Sequence, residues 1–247
     1  MAIRITSSHP TLNVGTSESR AKLAWALPNA DSFDEVNAGT NKGYKFLKLE
    51  TIYMNIFELI RYRRSIRKYE ERQVPREDLE RIIEAGLYAP NAGGGQRSMI
   101  VALRDPKLTE TVGRMNVGKL DRSRLSGSFV SKEQPSIIDD PTIKSGFYGA
   151  PTVCIIFAQG NFLYSIPDAF CCAENMVLAA TELGVSSCII ARGEETFDSD
   201  YGHQLMSQWG VPIGYVARCF VLLGYCRGDY PAGKPRKPDR YNIIEAE

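Results

Sequence analysis

Three stretches of this chain carry residue types from which a site for a phosphorylated ligand is built. The first is Arg61-Tyr62-Arg63-Arg64-Ser65-Ile66-Arg67-Lys68-Tyr69, in which Arg63, Arg64, Arg67 and Lys68 surround Ser65. Guanidinium forks bind phosphate bidentately and a serine hydroxyl adds a donor; a solvated basic face has the same composition. The second is Ala89-Pro90-Asn91-Ala92-Gly93-Gly94-Gly95-Gln96. Consecutive glycines let backbone N–H groups approach a ligand closely, and they also make a flexible turn. The run is neither a dinucleotide fingerprint nor a P-loop, since no Lys-Ser/Thr follows. The third is Gly233-Lys234-Pro235-Arg236-Lys237-Pro238, where Lys234 and Arg236 alternate along an extended backbone and project to one side, or form an ordinary basic tail. Phosphate-seeking cations at both ends, with a glycine-rich loop between, suggest a phosphorylated cofactor bound across the fold.

Other chemistries are poorly supplied. The chain has two histidines, His9 and His203, so a Ser-His-Asp or Cys-His mechanism depends almost entirely on His203, and a multi-histidine metal centre is nearly excluded. Its six cysteines include no C-x-x-C pair, and four lie in or beside apolar runs; a reduced, cytoplasmic protein without an iron–sulfur or zinc site is expected. Adjacent Cys171 and Cys172 on a helix point apart, which favours packing over redox work. Thirty Lys and Arg against twenty-nine Asp and Glu leave a charge of +1, too small to mark the whole chain as a nucleic-acid or membrane-surface binder. No apolar run approaches the ~20 residues of a bilayer span. An enzyme built from this composition works with something other than imidazole.

The elements that must position these residues read as follows. Residues 1–53, rich in Ser, Thr, Asn and Gly, form a flexible or partner-docked extension, and Met54 opens the folded domain, 54–247. Asn55 with Glu58 makes a capping box, and Pro75 followed by Glu77, Asp78, Leu79, Ile82, Ile83 and Leu87 starts an amphipathic helix. Met99–Leu103 is a short strand, and Asp105-Pro106 opens another helix. Residues 117–149 are irregular and Ser-rich, either a lid or disordered. Thr152–Ala158 is a strand buried on both faces. Asp168 caps a helix running to Leu183, rich in small residues, with Gly184 as its left-handed stop. Ser187–Ala191 and Val216–Gly224 are core strands, and Gly228–Lys237 is extended. The sum is a single α/β or α+β domain with a four- to five-stranded sheet.

Arg63-Arg64-Ser65-Ile66-Arg67-Lys68-Tyr69, Ala89-Pro90-Asn91-Ala92-Gly93 with Gln96, Leu183-Gly184-Val185-Ser186-Ser187-Cys188-Ile189-Ile190, and Leu223-Gly224-Tyr225 followed by Lys234-Pro235-Arg236-Lys237-Pro238 occur in this order. Together they resemble the signature of the FMN-dependent nitroreductase family over about residues 54 to 247. The resemblance implies a three-layer α+β fold, an intertwined homodimer with FMN held non-covalently at its interface, and ping-pong transfer from NADH or NADPH to nitroaromatics, quinones or related small-molecule acceptors. A flavin-binding sensor without turnover, a reductive dehalogenase and a flavin-modifying enzyme share the same motifs.

By position, the resemblance assigns Arg63 and Ser65, beside Arg64, to the FMN phosphate, with Lys234 and Arg236 closing on the same group. Arg67 matches the cation at the flavin N1–C2 carbonyl edge, where reduced flavin becomes anionic and a fixed positive charge stabilises it. Pro90, Asn91 and Ala92 match a loop touching the flavin through backbone. Ile190, Ala191 and Arg192 match the strand end whose N–H faces the hydride-accepting N5. Flavin supplies the redox chemistry and solvent the protons, so no catalytic side chain and no metal ligand is expected. Three departures concern the acceptor more than FMN: Gly94 replaces a frequent Asn, Arg97-Ser98 follow Gln96, and Arg192 stands where Gly or Ala is common. Phe129, Phe147 and Tyr148 either line an acceptor pocket or belong to the core.

Overall fold

The computed structural model describes residues 54–124 and 130–245. The expected extension, residues 1–53, and the aromatic Phe129 lie outside the described residues. The chain runs through α1 (Ile56–Tyr62), α2 (Arg76–Leu87), β1 (Ser98–Leu103), α3 (Pro106–Gly118), β2 (Thr152–Gln159), α4 (Ser165–Glu182), β3 (Ser186–Ile190), α5 (Gly193–Phe197), α6 (Asp200–Gln208) and β4 (Tyr215–Gly224), with short 3-10 turns at Ala92–Gly94 and Arg122–Arg124. The four strands found among the described residues form one antiparallel sheet in the order β1-β2-β4-β3.

Period-two side-chain alternation explains why the central strands are apolar throughout. Val153, Ile155 and Phe157 of β2 and Phe220 and Leu222 of β4 enter one core with Val112 of α3 and Phe197 of α5. Cys154 and Ile156 of β2, and Cys219, Val221 and Leu223 of β4, enter a second core with α2 and α4. The result is three layers, with helices covering both sheet faces. A bulge re-aims one strand. Phe157 pairs with Ala217 and Ile156 with Cys219, so Arg218 is the extra residue. Without that insertion Ala217 would share a face with Cys219; with it, Ala217 joins the first core beneath α5.

The local signals are met where they are short-range. Asn55 Oδ1 accepts from the Phe57 and Glu58 N–H groups and Glu58 returns a bond to the Asn55 N–H, completing the capping box. Asp105 Oδ1 accepts from Leu108 N–H at 2.7 Å, with Pro106 in the first turn of α3. Gly184 has φ +67 and ends α4 in a Schellman motif, Gly184 N–H to Thr181 O at 3.0 Å and Val185 N–H to Ala180 O at 2.7 Å. The start of α4 differs from expectation. The helix begins at Ser165, three residues before Asp168, whose carboxylate accepts from Ala92 N–H at 3.0 Å instead of capping its own helix.

The stretch after α1 takes the position of a fifth strand without becoming one. Ser65 makes an isolated parallel bridge to Ser187, Ile66 N–H donates to Ser187 O at 2.9 Å, and Tyr69 bridges Cys226. Fully buried Ile66 and Tyr69 anchor this segment in the first core. The arginine motif therefore lies along the outer edge of β3.

Candidate functional site

The edge of β3 gathers three of the expected site residues. Ser65 bridges Ser187 of β3, and burial pushes the neighbouring Cys188 thiol pKa up while Arg67, a bond with Ser65, and Arg63 pull it down, so both guanidinia lie within electrostatic range of β3. Gln134, buried in the irregular segment before β2, fixes the backbone here. Its Oε1 accepts from Arg67 N–H at 2.6 Å and Lys68 N–H at 2.8 Å, and its carbonyl accepts from the Arg67 guanidinium at 3.4 Å. Among the described residues the ion pairs are Arg72–Glu70, Arg76–Glu80, Arg114–Glu110 and Arg218–Glu194. None uses Arg63, Arg67, Lys234 or Arg236, so the cations at this edge keep their capacity for an external anion.

The remaining cations are placed differently. Arg64 turns back on its own helix, donating to Arg61 O at 2.5 Å and Arg63 O at 2.7 Å, and Gly233 lies so close to its guanidinium that a Cβ there would collide with it. Arg64 N–H donates to the Tyr230 hydroxyl at 2.9 Å, and Tyr230 stacks on Tyr62 at 4.9 Å and 5°. Arg64 thus ties the C-terminal segment to the end of α1. Lys234 Nζ donates to Val130 O at 2.6 Å, and Arg236 follows in exposed, extended chain. The tail reaches the arginine motif through Gly233 and Tyr230, while the Lys234 ammonium rests on a carbonyl next to it.

At the other end of β3, Ile190 is buried, Ala191 exposed and Arg192 half-buried. Arg192 has φ +64, a left-handed conformation rare without glycine, and is held by Asn116 of α3. Tyr148, also left-handed at φ +54, accepts from Ile137 N–H at 3.2 Å. Burial raises the Tyr148 pKa against the pull of that N–H and of Arg67 and Arg192, so the phenol lies within electrostatic range of both guanidinia.

The glycine-rich loop is elsewhere. It precedes β1, which pairs with β2 alone, so it lies at the edge opposite β3. Ser98 aligns with Ala158, at the end of the sheet away from Ser187 and Leu223. Pro90 and Gly94 are exposed, Asn91 and Ala92 half-buried. Asn91 Oδ1 accepts from Gln96 N–H at 2.8 Å and Asp168 holds Ala92, while Gly93 and Gly94, with φ +60 and +63, face open space. Within one chain the loop and the arginine cluster occupy diagonally opposite corners.

Three residues that hold the site escaped sequence reasoning: Gln134, Asn116 and, in this role, Asp168. Asn116 left a trace, as a polar residue four positions after Val112 on the buried stripe of α3; Gln134 had no periodic frame to reveal it. Phe147 is core, packed on Phe220 at 4.8 Å. Cys171 is exposed and Cys172 buried, and burial carries the Cys172 thiol to about 12, away from thiolate chemistry. His203 is exposed on α6 beside Glu194 and Asp198. Among the described residues no group of three His, Cys, Asp or Glu could hold a metal ion, and no helix is long and apolar enough to cross a membrane.

Comparison with known proteins extends these observations. A protein of Archaeoglobus fulgidus named for NADH dehydrogenase/NAD(P)H nitroreductase activity is 27% identical over 190 residues, covering 74% of this chain and 94% of its own. The crystal structure of a Bacteroides fragilis nitroreductase with bound FMN superposes with a TM-score of 0.65 at 28% identity, covering 78% of this chain and 100% of that one. A Desulfitobacterium hafniense nitroreductase, also with bound FMN, shares the fold at TM-score 0.63 and 23% identity, over 78% of this chain and 100% of that one. The profile of the nitroreductase family matches residues 60–225, which reach from the last turn of α1 to just beyond β4 and hold the arginine motif, the glycine-rich loop and the end of β3, so the chain belongs to the nitroreductase family.

Proposed function

We propose that this protein is an FMN-dependent oxidoreductase. It oxidises NAD(P)H and reduces nitroaromatics, quinones or related small-molecule acceptors by ping-pong kinetics, as a homodimer. The observation that carries the reading is the convergence of Arg63, Ser65 and Arg67 on β3 with no carboxylate partner among the described residues. A ligand with a phosphate and an electron-accepting ring edge fits that donor set, and the related Bacteroides fragilis enzyme holds FMN.

FMN, when bound, supplies hydride transfer at N5 and gathers negative charge near N1. The chain's own residues have narrower tasks. Arg63 and Ser65 bind the phosphate, and Lys234 and Arg236, brought near by Gly233, add positive charge at that end. Arg67, fixed by Gln134 at its N–H and guanidinium, stabilises the N1 edge. The backbone at Ile190, Ala191 and Arg192 would orient the hydride-accepting part of the ring without titrating. Pro90, Asn91, Ala92 and Gly94 would contribute backbone contacts to the ring. No protein acid or base is required.

The placement of the two motifs supports the homodimer. The loop, at the β1 edge, and the arginine cluster, outside β3, are four strand spacings apart, about 19 Å, and at opposite sheet ends, so one copy's loop completes the other copy's site. An apolar surface suited to that pairing lies on adjacent helices: Ile56, Phe57 and Ile60 of α1 and Ile166 of α4 are exposed, Phe57 by 67%, and α1 packs beside α4. The extended tail ends in exposed Tyr241, Ile243 and Ile244.

The purified protein is expected to be yellow, to bleach with NAD(P)H under anaerobic conditions, and to recolour on adding a quinone or nitrofurazone. A colourless protein that takes up no FMN overturns the reading. Bound flavin without turnover reassigns it to a sensor. Replacing Arg63 and Arg236 together by Ala weakens FMN retention at least tenfold, measured by equilibrium dialysis; each charge-assisted phosphate contact is worth about 1.5–3 kcal/mol.

A further inference from the structure

The left-handed backbone of Arg192 is a conformation that glycine adopts freely and arginine only against steric resistance. An arginine is kept there by a set of bonds that reaches it from another layer. Its Nη2 donates to Asn116 Oδ1 at 2.6 Å and its Nε to the Asn116 carbonyl at 3.4 Å. The Asn116 amide nitrogen donates to Ala191 O at 3.0 Å and to Thr196 Oγ1 at 2.9 Å, and that hydroxyl donates to Arg192 O at 2.5 Å. Asn116 is fully buried, and Gly146 lies against the same Oδ1 so closely that a Cβ there would strike it, leaving the amide no room to turn. Every bond ends on Ala191, Arg192 or the Thr196 that holds Arg192, and no carboxylate among the described residues lies within ion-pair distance of the guanidinium, Glu195 acting on it only from farther off.

We propose that Asn116 is a positioning residue that braces Ala191 and Arg192, holding the Arg192 guanidinium as a second fixed cation beside the flavin ring, in addition to Arg67. This rests on the reading above that the end of β3 faces the flavin. Arginine stays protonated in proteins, so partial burial strengthens its field instead of discharging it. The charge favours reduced, negative flavin over oxidised, neutral flavin. The brace matters because a free arginine would swing into solvent and be screened.

The test is an anaerobic redox titration of the FMN-bound protein together with its FMN dissociation constants. Arg192→Gly relieves the left-handed strain, so its melting temperature is expected to stay level or rise. Its preference for reduced over oxidised FMN falls about tenfold, lowering the two-electron midpoint by about 30 mV. Arg192→Gln, which keeps the side chain's reach and removes its charge, lowers it similarly. Asn116→Ala lowers the midpoint in the wild-type background and adds nothing in Arg192→Gly, because it acts through Arg192. A bound flavin whose midpoint is the same in Arg192→Gly as in wild type overturns the inference alone. So does an equal Asn116→Ala shift in both backgrounds. A wild-type protein that takes up no FMN overturns the functional reading beneath it as well.

Discussion

Buried polar side chains at this site bond largely to backbone, and none of them supplies a carboxylate within ion-pair distance of the site's cations. Gln134 accepts from two consecutive N–H groups, Asn116 donates to the Ala191 carbonyl, and Asp168 accepts from Ala92 N–H. Each satisfies main-chain groups that an irregular turn cannot pair with itself, the cost otherwise being that of a buried, unmade hydrogen bond. Asp168 is the clearest test. Asp168→Ala removes a carboxylate acceptor from the glycine-rich loop and is expected to cost about 1.5–3 kcal/mol in urea unfolding and to weaken FMN uptake. Asp168→Asn, which keeps an acceptor oxygen, costs less. Equal stability and uptake in wild type and Asp168→Ala would show that the loop holds itself. The arginines themselves were legible from their spacing. Arg64 was not separable from Arg63 and Arg67, because only the approach of Gly233 and Tyr230 shows that it faces the helix end.

Among the elements, the junction between β3 and α5 is closely packed against backbone. Gly193 begins α5 directly above the bulged β4, and a Cβ on it would lie 2.6 Å from the carbonyl carbon and oxygen of Ala217. Backbone cannot yield as a side-chain tip can. Gly193→Ala is expected to destabilise the fold by about 1–3 kcal/mol, the usual range for overpacking, and to loosen the Arg192 turn. Calorimetry measures the first effect and the FMN midpoint the second; an unchanged melting temperature would place the clash elsewhere. Strand and helix ends were legible to within a residue where caps and stops are local, as at Asn55, Asp105 and Gly184. The start of α4 was not, because Asp168 answers to a loop 76 residues away in sequence.

For the whole molecule, the decisive fact is that the arginine cluster and the glycine-rich loop do not meet in one chain. The arginine cluster and the glycine-rich loop occupy opposite corners of the sheet, and the adjacent helices α1 and α4 expose Ile56, Phe57, Ile60 and Ile166. If those residues join two copies, Phe57→Glu with Ile60→Glu should yield monomers in light-scattering chromatography that retain secondary structure but lose FMN. A double variant that stays dimeric, or monomers that bind FMN as tightly as wild type, would remove the shared site.

Hydrophobic period, caps, stops and clustered charge act over a few residues, so the amino-acid order alone located four strands, several helix starts and stops, the arginine motif and the family resemblance. Whether there would be four strands or five, which arginine faces outward, where the bulge falls and which amides brace the site depended on groups far apart in the chain. Those choices are made by the packing of distant surfaces, and only the folded structure brings the partners together.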